Sequence, residues 1–581
     1  MTTLVAQPEI FATAAQDAST IGSAINEARA AAAGSTTSVV AAAEDEVSAI
    51  TAQLFGSFGQ EYQALLQQAA AFHGQFVTAL AGAGNAYAHA EAQIAGTLGL
   101  TGAASPVFGA PPSAGDPLVD QFFIMTGSGT ATPNSTYIAN VVSRYLTPPP
   151  FNFTLPAGIN PIAVTTAEGL YPFTGVKDLT LDISLARGVT SLDNAINLMV
   201  HPGAGGGTAA ILGYSQSSIV ASLEMPKLVA EGFIGSSNPA TNQLFFQLLG
   251  DPANPNGGLL ARFPGLSFPS LGVTFGASTP SNDFLTNIFT LEYDGFADFP
   301  RYPIDIFSDL NALAGIVFIH GTYPHLTASQ LASAFLLPGS HSLDPTNGLT
   351  DYYMIPTENL PLLTPLRLIP VIGNPLADLI QPDLKLIVNW GYGDPNYGFS
   401  TSPSNVQTPF GFLPPMSATT ELVSLFPGAT AQGVSAFSHD LSNLASSLPG
   451  AATSGFAQLT LPPSASMPTT PTGIIQAIES ANTNIVGTLT SDFSTAYATL
   501  LPTADIATAV AVTLPSYDVN LFLDGINEAL NGNVVGGLMD AFGRPIAANI
   551  GLTTLAGGFE LITIENALDT IVTGTPNPGP Q

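Results

Sequence analysis

The chain has 581 residues; 46% are hydrophobic and 9% charged, with 10 Lys+Arg against 41 Asp+Glu and no cysteine. A net charge of −31 disfavours nucleic acid and anionic lipid headgroups, which are bound through Lys and Arg. The missing thiols exclude disulfides, thiolate metal sites and a Cys nucleophile, and low charge beside abundant apolar residues is not the signature of disorder.

The N-terminus, MTTLVAQPEIF, has neither a basic n-region nor a long apolar h-region, so no ordinary secretory signal is expected. Residues 1–98 are Ala-rich and contain no proline after Pro8. Phe11, Ala14, Ala18, Ile21, Ile25, Ala28 and Ala32 recur at steps of three and four, which predicts one helical stripe. Gly34 to Thr37 breaks it, and Val47, Ile50, Leu54, Phe58, Tyr62, Leu65, Ala69, Phe72, Phe76 and Leu80 form a second. Together they predict an antiparallel helical hairpin. Such a hairpin exposes half its apolar surface and calls for a partner. Residues 99–117 read as a linker.

From 118 to 395, strand-like runs alternate with helical or loop stretches. The runs are Phe122 to Met125, Ile162 to Thr165, Ala209 to Tyr214, Leu244 to Leu249 and Ile288 to Tyr293. This alternation predicts an α/β fold on a mainly parallel sheet. Residues 396–581 begin rich in Pro, Ser and Gly and then carry short amphipathic helices such as Gly473 to Ile485 and Asn520 to Leu530. No chemistry attaches to them. Apolar runs such as Ala209 to Leu212 and Ala509 to Val512 are interrupted well before the ~20 residues a spanning helix needs, so no transmembrane span is expected.

The sharpest local signal is Gly213-Tyr214-Ser215-Gln216-Ser217, entered by an apolar strand and followed by a helix. It is a variant of the Gly-x-Ser-x-Gly nucleophile elbow, in which a sharp turn exposes the Ser hydroxyl at the strand's C-terminal end. The following helix offers amide N–H groups to a developing oxyanion, beginning with that of Gln216. A Ser nucleophile needs a base, and the base an orienting carboxylate. In this architecture the order is Ser, acid, His, which removes His73, His89 and His201. His320 and His325 lie together in IHGTYPH, while His341 and His439 read as solvated loop residues. His320 follows the apolar run Ile316 to Ile319 and is preferred; His325 stays open. For the acid, the last strand runs into Asp294-Gly-Phe-Ala-Asp298-Phe-Pro300. Asp298, further into the loop, is preferred to Asp294, and Asp251 reads as a turn residue. The loop Gly127-Ser128-Gly129-Thr130 after the first strand could supply a second oxyanion donor. No Walker lysine, completed dinucleotide motif or metal-ligand spacing is present, so neither cofactor nor metal is called for.

These residues carry a resemblance. Residues 1–98, with Pro8-Glu9 and the Ala-rich hairpin, resemble the PE domain of mycobacterial PE/PPE proteins. Tyr87-Ala-His-Ala-Glu91 is similar to the Tyr-x-x-x-Asp/Glu signal of type VII secretion substrates. TTAEGLYPFTG (165–175), GYSQSS (213–218), NPNGGLLARFPG (254–265), EYDGFADFPRYP (292–303) and DLNALAGIVFIHGTYPHLT (309–327) resemble the PE-PPE domain, a serine α/β-hydrolase related to cutinases. The resemblance implies Ser215 as nucleophile, an acid within 294–298 and a base within 320–325. Ser128 would match the small hydroxyl residue of the cutinase oxyanion hole.

The sequence thus predicts a helical hairpin at 1–98, a linker, a cutinase-like hydrolase of five strands at 118–395 and a helical extension at 396–581. The expected activity is cleavage of short- to medium-chain carboxyl esters by Ser215, His320 and Asp298, with Gln216 and Ser128 at the oxyanion. The resemblance further implies export to the cell wall or surface through Tyr87 and Glu91, and a PPE-type helical partner. Two other readings share the same residues. One is transfer of the acyl group to a cell-envelope glycolipid such as a trehalose lipid; the other is a non-enzymatic surface protein with a vestigial site.

Overall fold

The computed structural model describes residues 119–176, 178–369, 371–451 and 501–573. The expected hairpin, with Tyr87 and Glu91, and the predicted helix at 473–485 lie outside the described residues. The described residues all belong to one compact unit.

The core is a sheet of seven strands: β1 (Gln121–Ile124), β2 (Ile162–Ala163), β3 (Ala209–Tyr214), β4 (Leu244–Leu249), β7 (Leu285–Leu291), β8 (Phe335–Leu336) and β9 (Thr350–Ile355), with a separate small ribbon of β5 (Ser267–Phe268) and β6 (Val273–Thr274). Its order is β2-β1-β3-β4-β7-β9-β8, all neighbours parallel except the antiparallel edge pair β8–β9. The α/β expectation holds, with two strands more than the five read from sequence. β8 is only two residues long, and Asp351 breaks the apolar pattern of β9. The fifth expected strand starts earlier and stops earlier, at Leu291, because Tyr293 turns out of the sheet at φ 69°.

Burial on both faces explains the near-continuous apolar composition of these strands. Phe123, Ile211, Leu244, Phe246 and Ile288 pack on one side with Leu185, Leu192, Val220 and Met225 from helices Leu181–Met199 and Gln216–Glu231. Their neighbours Phe122, Ile124, Leu212, Phe245 and Phe289 face Val141, Tyr145, Phe153 and Tyr323 on the other side. The period of two is that of a pleated strand.

Residue 395 is not a break in packing: Phe399 joins one sheet-face cluster, and Phe410 packs with Phe263 and Phe299 in another. The C-terminal helices are long, not short. One runs Leu501–Leu530 and passes through a π-helical stretch at Ala509–Thr513; after a tight turn the next runs Val534–Thr573. Pro515 and Pro545 lie within these helices, and the π turn just before Pro515 absorbs its missing N–H. The two helices meet closely at Gly525, where any Cβ would collide with the backbone of Ala541. Both are long and apolar enough to cross a membrane by length and composition, which the interrupted apolar runs did not foretell. In the structure one face of each lies on the α/β body: Leu514, Tyr517, Leu521, Ala547 and Leu552 join Phe173, Leu259, Phe263 and Phe299 in one cluster.

Candidate active site

The site is built at the C-terminal edge of the parallel strands, where this sheet type presents its loops. β3 ends at Tyr214, and Ser215 caps the next helix at φ 56°, ψ −118°. A non-glycine residue there stores about 1–3 kcal/mol of strain. Neighbouring bonds hold it: Ser215 N–H donates to Leu249 O (2.9 Å) and Tyr214 N–H to Ser217 Oγ (2.8 Å). The hydroxyl at 217 therefore braces the elbow, which a glycine there could not do.

His320 Nε2 lies 2.7 Å from Ser215 Oγ, and its Nδ1 lies 2.8 Å from both carboxyl oxygens of Asp294. Asp294 is fully buried, whereas Ser215 and His320 each keep 7% exposure, enough for a substrate to reach them. Around this row stand groups that the motifs did not single out. Tyr214 stacks on the imidazole at 5.6 Å and donates its hydroxyl to His320 O, and the Phe296 ring sits edge-on at 4.8 Å. Tyr323 O–H donates to Asp294 Oδ2 (2.8 Å) and accepts Leu291 N–H (2.8 Å). Burial, reinforced by the Asp294 charge, holds the Tyr323 phenol well above its usual pKa, so it stays a donor. Only the repeated aromatics in YPH hint at this post from sequence.

The carboxylate beside His320 Nδ1 is that of Asp294, not of Asp298, which the sequence favoured. Asp298 Oδ2 accepts the N–H of strained Tyr293 (3.0 Å), and Asp298 N–H donates to Asp294 O (2.5 Å). It braces the loop that presents Asp294. Burial raises its carboxyl well above the carboxylate range, partly offset by the buried Arg262 guanidinium. A residue three beyond the strand reaches the imidazole directly; one seven beyond has been folded back beneath it. His325 is exposed at the far end of the 3-10 turn His320–His325. His341 is half-buried near Thr350, and His439 is exposed. Asp251 braces its turn through Ala253 N–H and the Thr279 hydroxyl.

On the other side of Ser215 lies the loop after β1. A Cβ on Gly127 would come within 2.8 Å of Ser215 Cβ, so only glycine lets this loop approach. Ser128 Oγ–H donates to Gln216 Oε1 (2.8 Å), and Gln216 Nε2–H donates to Ser184 Oγ (2.5 Å). The Ser128 hydroxyl is thus engaged in tying the loop to the elbow helix. As first residue of that helix, Gln216 has a backbone N–H without an intrahelical acceptor. The loop is anchored from behind, where Gly129 N–H donates to Glu168 O (2.7 Å). Burial pushes the Glu168 carboxyl up to about 8, against the Thr166 hydroxyl bond that favours its charge. Glu168 lies within TTAEGLYPFTG, and nothing in that motif announces a buried carboxyl.

An apolar cavity of about 1080 Å³, counting its open mouth, extends from Ser128, Ser215 and Gln216. Leu170, Phe173, Ile219, Leu260 and Phe296 line one part of it. The C-terminal helices line another.

Residues 157–393 match the PE-PPE domain family, and residues 4–94 match the PE family. Esterase PE16 of Mycobacterium tuberculosis is 43% identical over 414 residues, 71% of this chain and 73% of that one. PE family protein PE3 of the same species is 42% identical over 435 residues, 74% of this chain and 87% of that one. The chain belongs to the PE family and carries a PE-PPE domain. The PPE family protein PPE28 of M. tuberculosis is 43% identical over 451 residues, 77% of this chain and 66% of that one. Among solved structures, a cutinase-like protein from Cryptococcus sp. aligns at 15% identity and a TM-score of 0.17, over 31% of this chain and 79% of that one. In this PE family chain, Ser215, Asp294 and His320 all fall within the PE-PPE match, and the C-terminal helices fall outside it.

Proposed function

We propose that this PE family chain is a serine hydrolase of carboxylic esters, with Ser215 as nucleophile, His320 as base and Asp294 as orienting acid. The observation that carries the reading is the unbroken row from Ser215 Oγ through the imidazole to the Asp294 carboxylate, 2.7 and 2.8 Å at its two links, opening on an apolar cavity. The relative named Esterase PE16 supports it.

Ser215 Oγ attacks the ester carbonyl while its proton passes to His320 Nε2. The Asp294 carboxylate accepts a hydrogen bond from Nδ1–H, stays ionised and stabilises the imidazolium that forms. The negative carbonyl oxygen is received by the Gln216 N–H and by the backbone of the Gly127-Ser128 loop, which the Ser128–Gln216 bond holds in place. Collapse breaks the ester C–O bond, and the leaving alkoxide takes the proton from His320. Water, deprotonated by the same imidazole, then releases the acid and restores Ser215. The N-terminal match supports a PE hairpin that pairs with a PPE-type helical protein, with Tyr87 and Glu91 as export signal to the cell envelope.

A fluorophosphonate probe tests the reading. It should label Ser215 in the wild type and not in Ser215→Ala, which should also lose roughly 10³-fold or more of p-nitrophenyl butyrate hydrolysis. Near wild-type turnover by Ser215→Ala would refute it.

A further inference from the structure

We propose that the C-terminal helical pair is the acyl-binding wall of this enzyme, and that its substrates are esters of long acyl chains, about ten carbons or more. The proposal rests on the ester-hydrolase reading of Ser215 and lengthens the chain expected from sequence.

The cavity that opens at Ser215 is closed by Ile506, Val510 and Leu514 from one C-terminal helix and by Leu552, Ala556 and Phe559 from the other. The spacings 506–510–514 and 552–556–559 are those of single helical faces. Each helix therefore commits a whole face to the cavity. The stretch from 506 to 514 spans about 12 Å at ~1.5 Å per residue. Ala509 also lines the cavity beside Val510, in the π-helical stretch Ala509–Thr513. Such π turns, frequent at functional sites, shift the helical register.

Polar groups cluster at one end. Ser128, Ser215 and Gln216 stand where the ester must lie. The remaining polar side chain is Tyr171, whose hydroxyl is already spent on Asp505 Oδ2 (2.7 Å). The same Asp505 accepts Ser270 Oγ–H on its backbone oxygen (2.9 Å), so the first helix is clasped to the body at the cavity rim. A sugar or a charged group placed beyond the ester would find no partner there and would be disfavoured. A polymethylene chain needs none. Each methylene buried against such a wall strengthens binding roughly fourfold, which favours long chains over acetyl or butyryl groups.

Cavity-filling substitutions test this in the full chain. p-Nitrophenyl esters of two, four, eight, twelve and sixteen carbons give the chain-length profile. A fluorescent sixteen-carbon fatty acid, titrated into Ser215→Ala, reads the wall without turnover. In the wild type, kcat/KM should rise from acetate to dodecanoate. In Val510→Trp and Ala556→Trp the dodecanoate-to-acetate ratio should fall tenfold or more, and Ser215→Ala should lose probe binding when either is added. Leu561→Trp, on the second helix but 69% exposed, should keep both the profile and the binding. An unchanged ratio and unchanged binding in both cavity variants would overturn the proposal, as would equal losses in Leu561→Trp. Failure of fluorophosphonate to label wild-type Ser215 would instead refute the hydrolase reading, a separate outcome.

Discussion

Asp294→Asn removes one charge and replaces one acceptor oxygen with an NH2. Three donors converge on the native carboxylate: His320 Nδ1–H at 2.8 Å, Tyr323 O–H at 2.8 Å on Oδ2 and Phe296 N–H at 3.1 Å on Oδ1. An amide has one oxygen for these three. If that oxygen takes Tyr323 or Phe296, the NH2 faces His320 and Nδ1 must become an acceptor. The imidazole proton then sits on Nε2, and Nε2 can no longer accept from Ser215. The same substitution in a serine-protease triad lowers kcat about 10⁴-fold, or about 5.4 kcal/mol at ~1.36 kcal/mol per decade. A loss of 10³- to 10⁴-fold in kcat/KM on p-nitrophenyl butyrate is expected, with native circular dichroism. Asp298→Asn keeps an oxygen for the Tyr293 N–H and should lose less than tenfold, with its effect on thermal unfolding. A 10³-fold loss in Asp298→Asn beside a near-active Asp294→Asn would refute the reasoning and return the acid to Asp298.

Other substitutions probe the surroundings. His320→Ala should abolish ester hydrolysis and covalent labelling, whereas His325→Ala, exposed and away from Ser215, should keep both; kcat/KM for the two variants checks this. Glu168 has a folded pKa of about 8 against an ordinary 4.5. Between those values the folded state binds more protons than the unfolded one, so stability falls as pH rises. Glu168→Gln should flatten that decline between about pH 5 and 8, read from denaturant midpoints. Unaltered pH dependence would mean that Glu168 is not the group responsible. Tyr87→Ala and Glu91→Ala should block export from a mycobacterial host while purified protein keeps its esterase rate; immunoblots of culture filtrate and cells check this.

The elbow was legible because its signal is local: five residues between an apolar strand and a helix define both the turn and its exposed hydroxyl. His320 was legible for the same reason, since an ordered helix leads straight into it. The partner of its Nδ1 was not, because Asp294 and Asp298 lie in one loop and the tertiary fold decides which carboxylate turns toward the imidazole. Tyr293, at positive φ, reverses the chain there, and nothing in its side chain announces that conformation. β8 and β9 were missed because one is too short and the other too polar for a period-two signal. The length of the C-terminal helices was missed because the apolar runs there, such as Ala509 to Val512, are interrupted, and packing on the body carries the helices past the interruptions. The cavity is the least local feature: its walls come from residues hundreds of positions apart, as in the Tyr171–Asp505 bond.

That separation also orders events during synthesis. Ser215, Asp294 and His320 leave the ribosome first, and Phe559 follows about 240 residues later, roughly 10–50 s at ~5–20 residues per second. For that interval the nascent chain holds Ser215, His320 and Asp294 beside an unroofed apolar surface. A chain cut after Phe410 and before Leu501 stays in that condition permanently, with Ser215, His320 and Asp294 present and one side of its hollow missing.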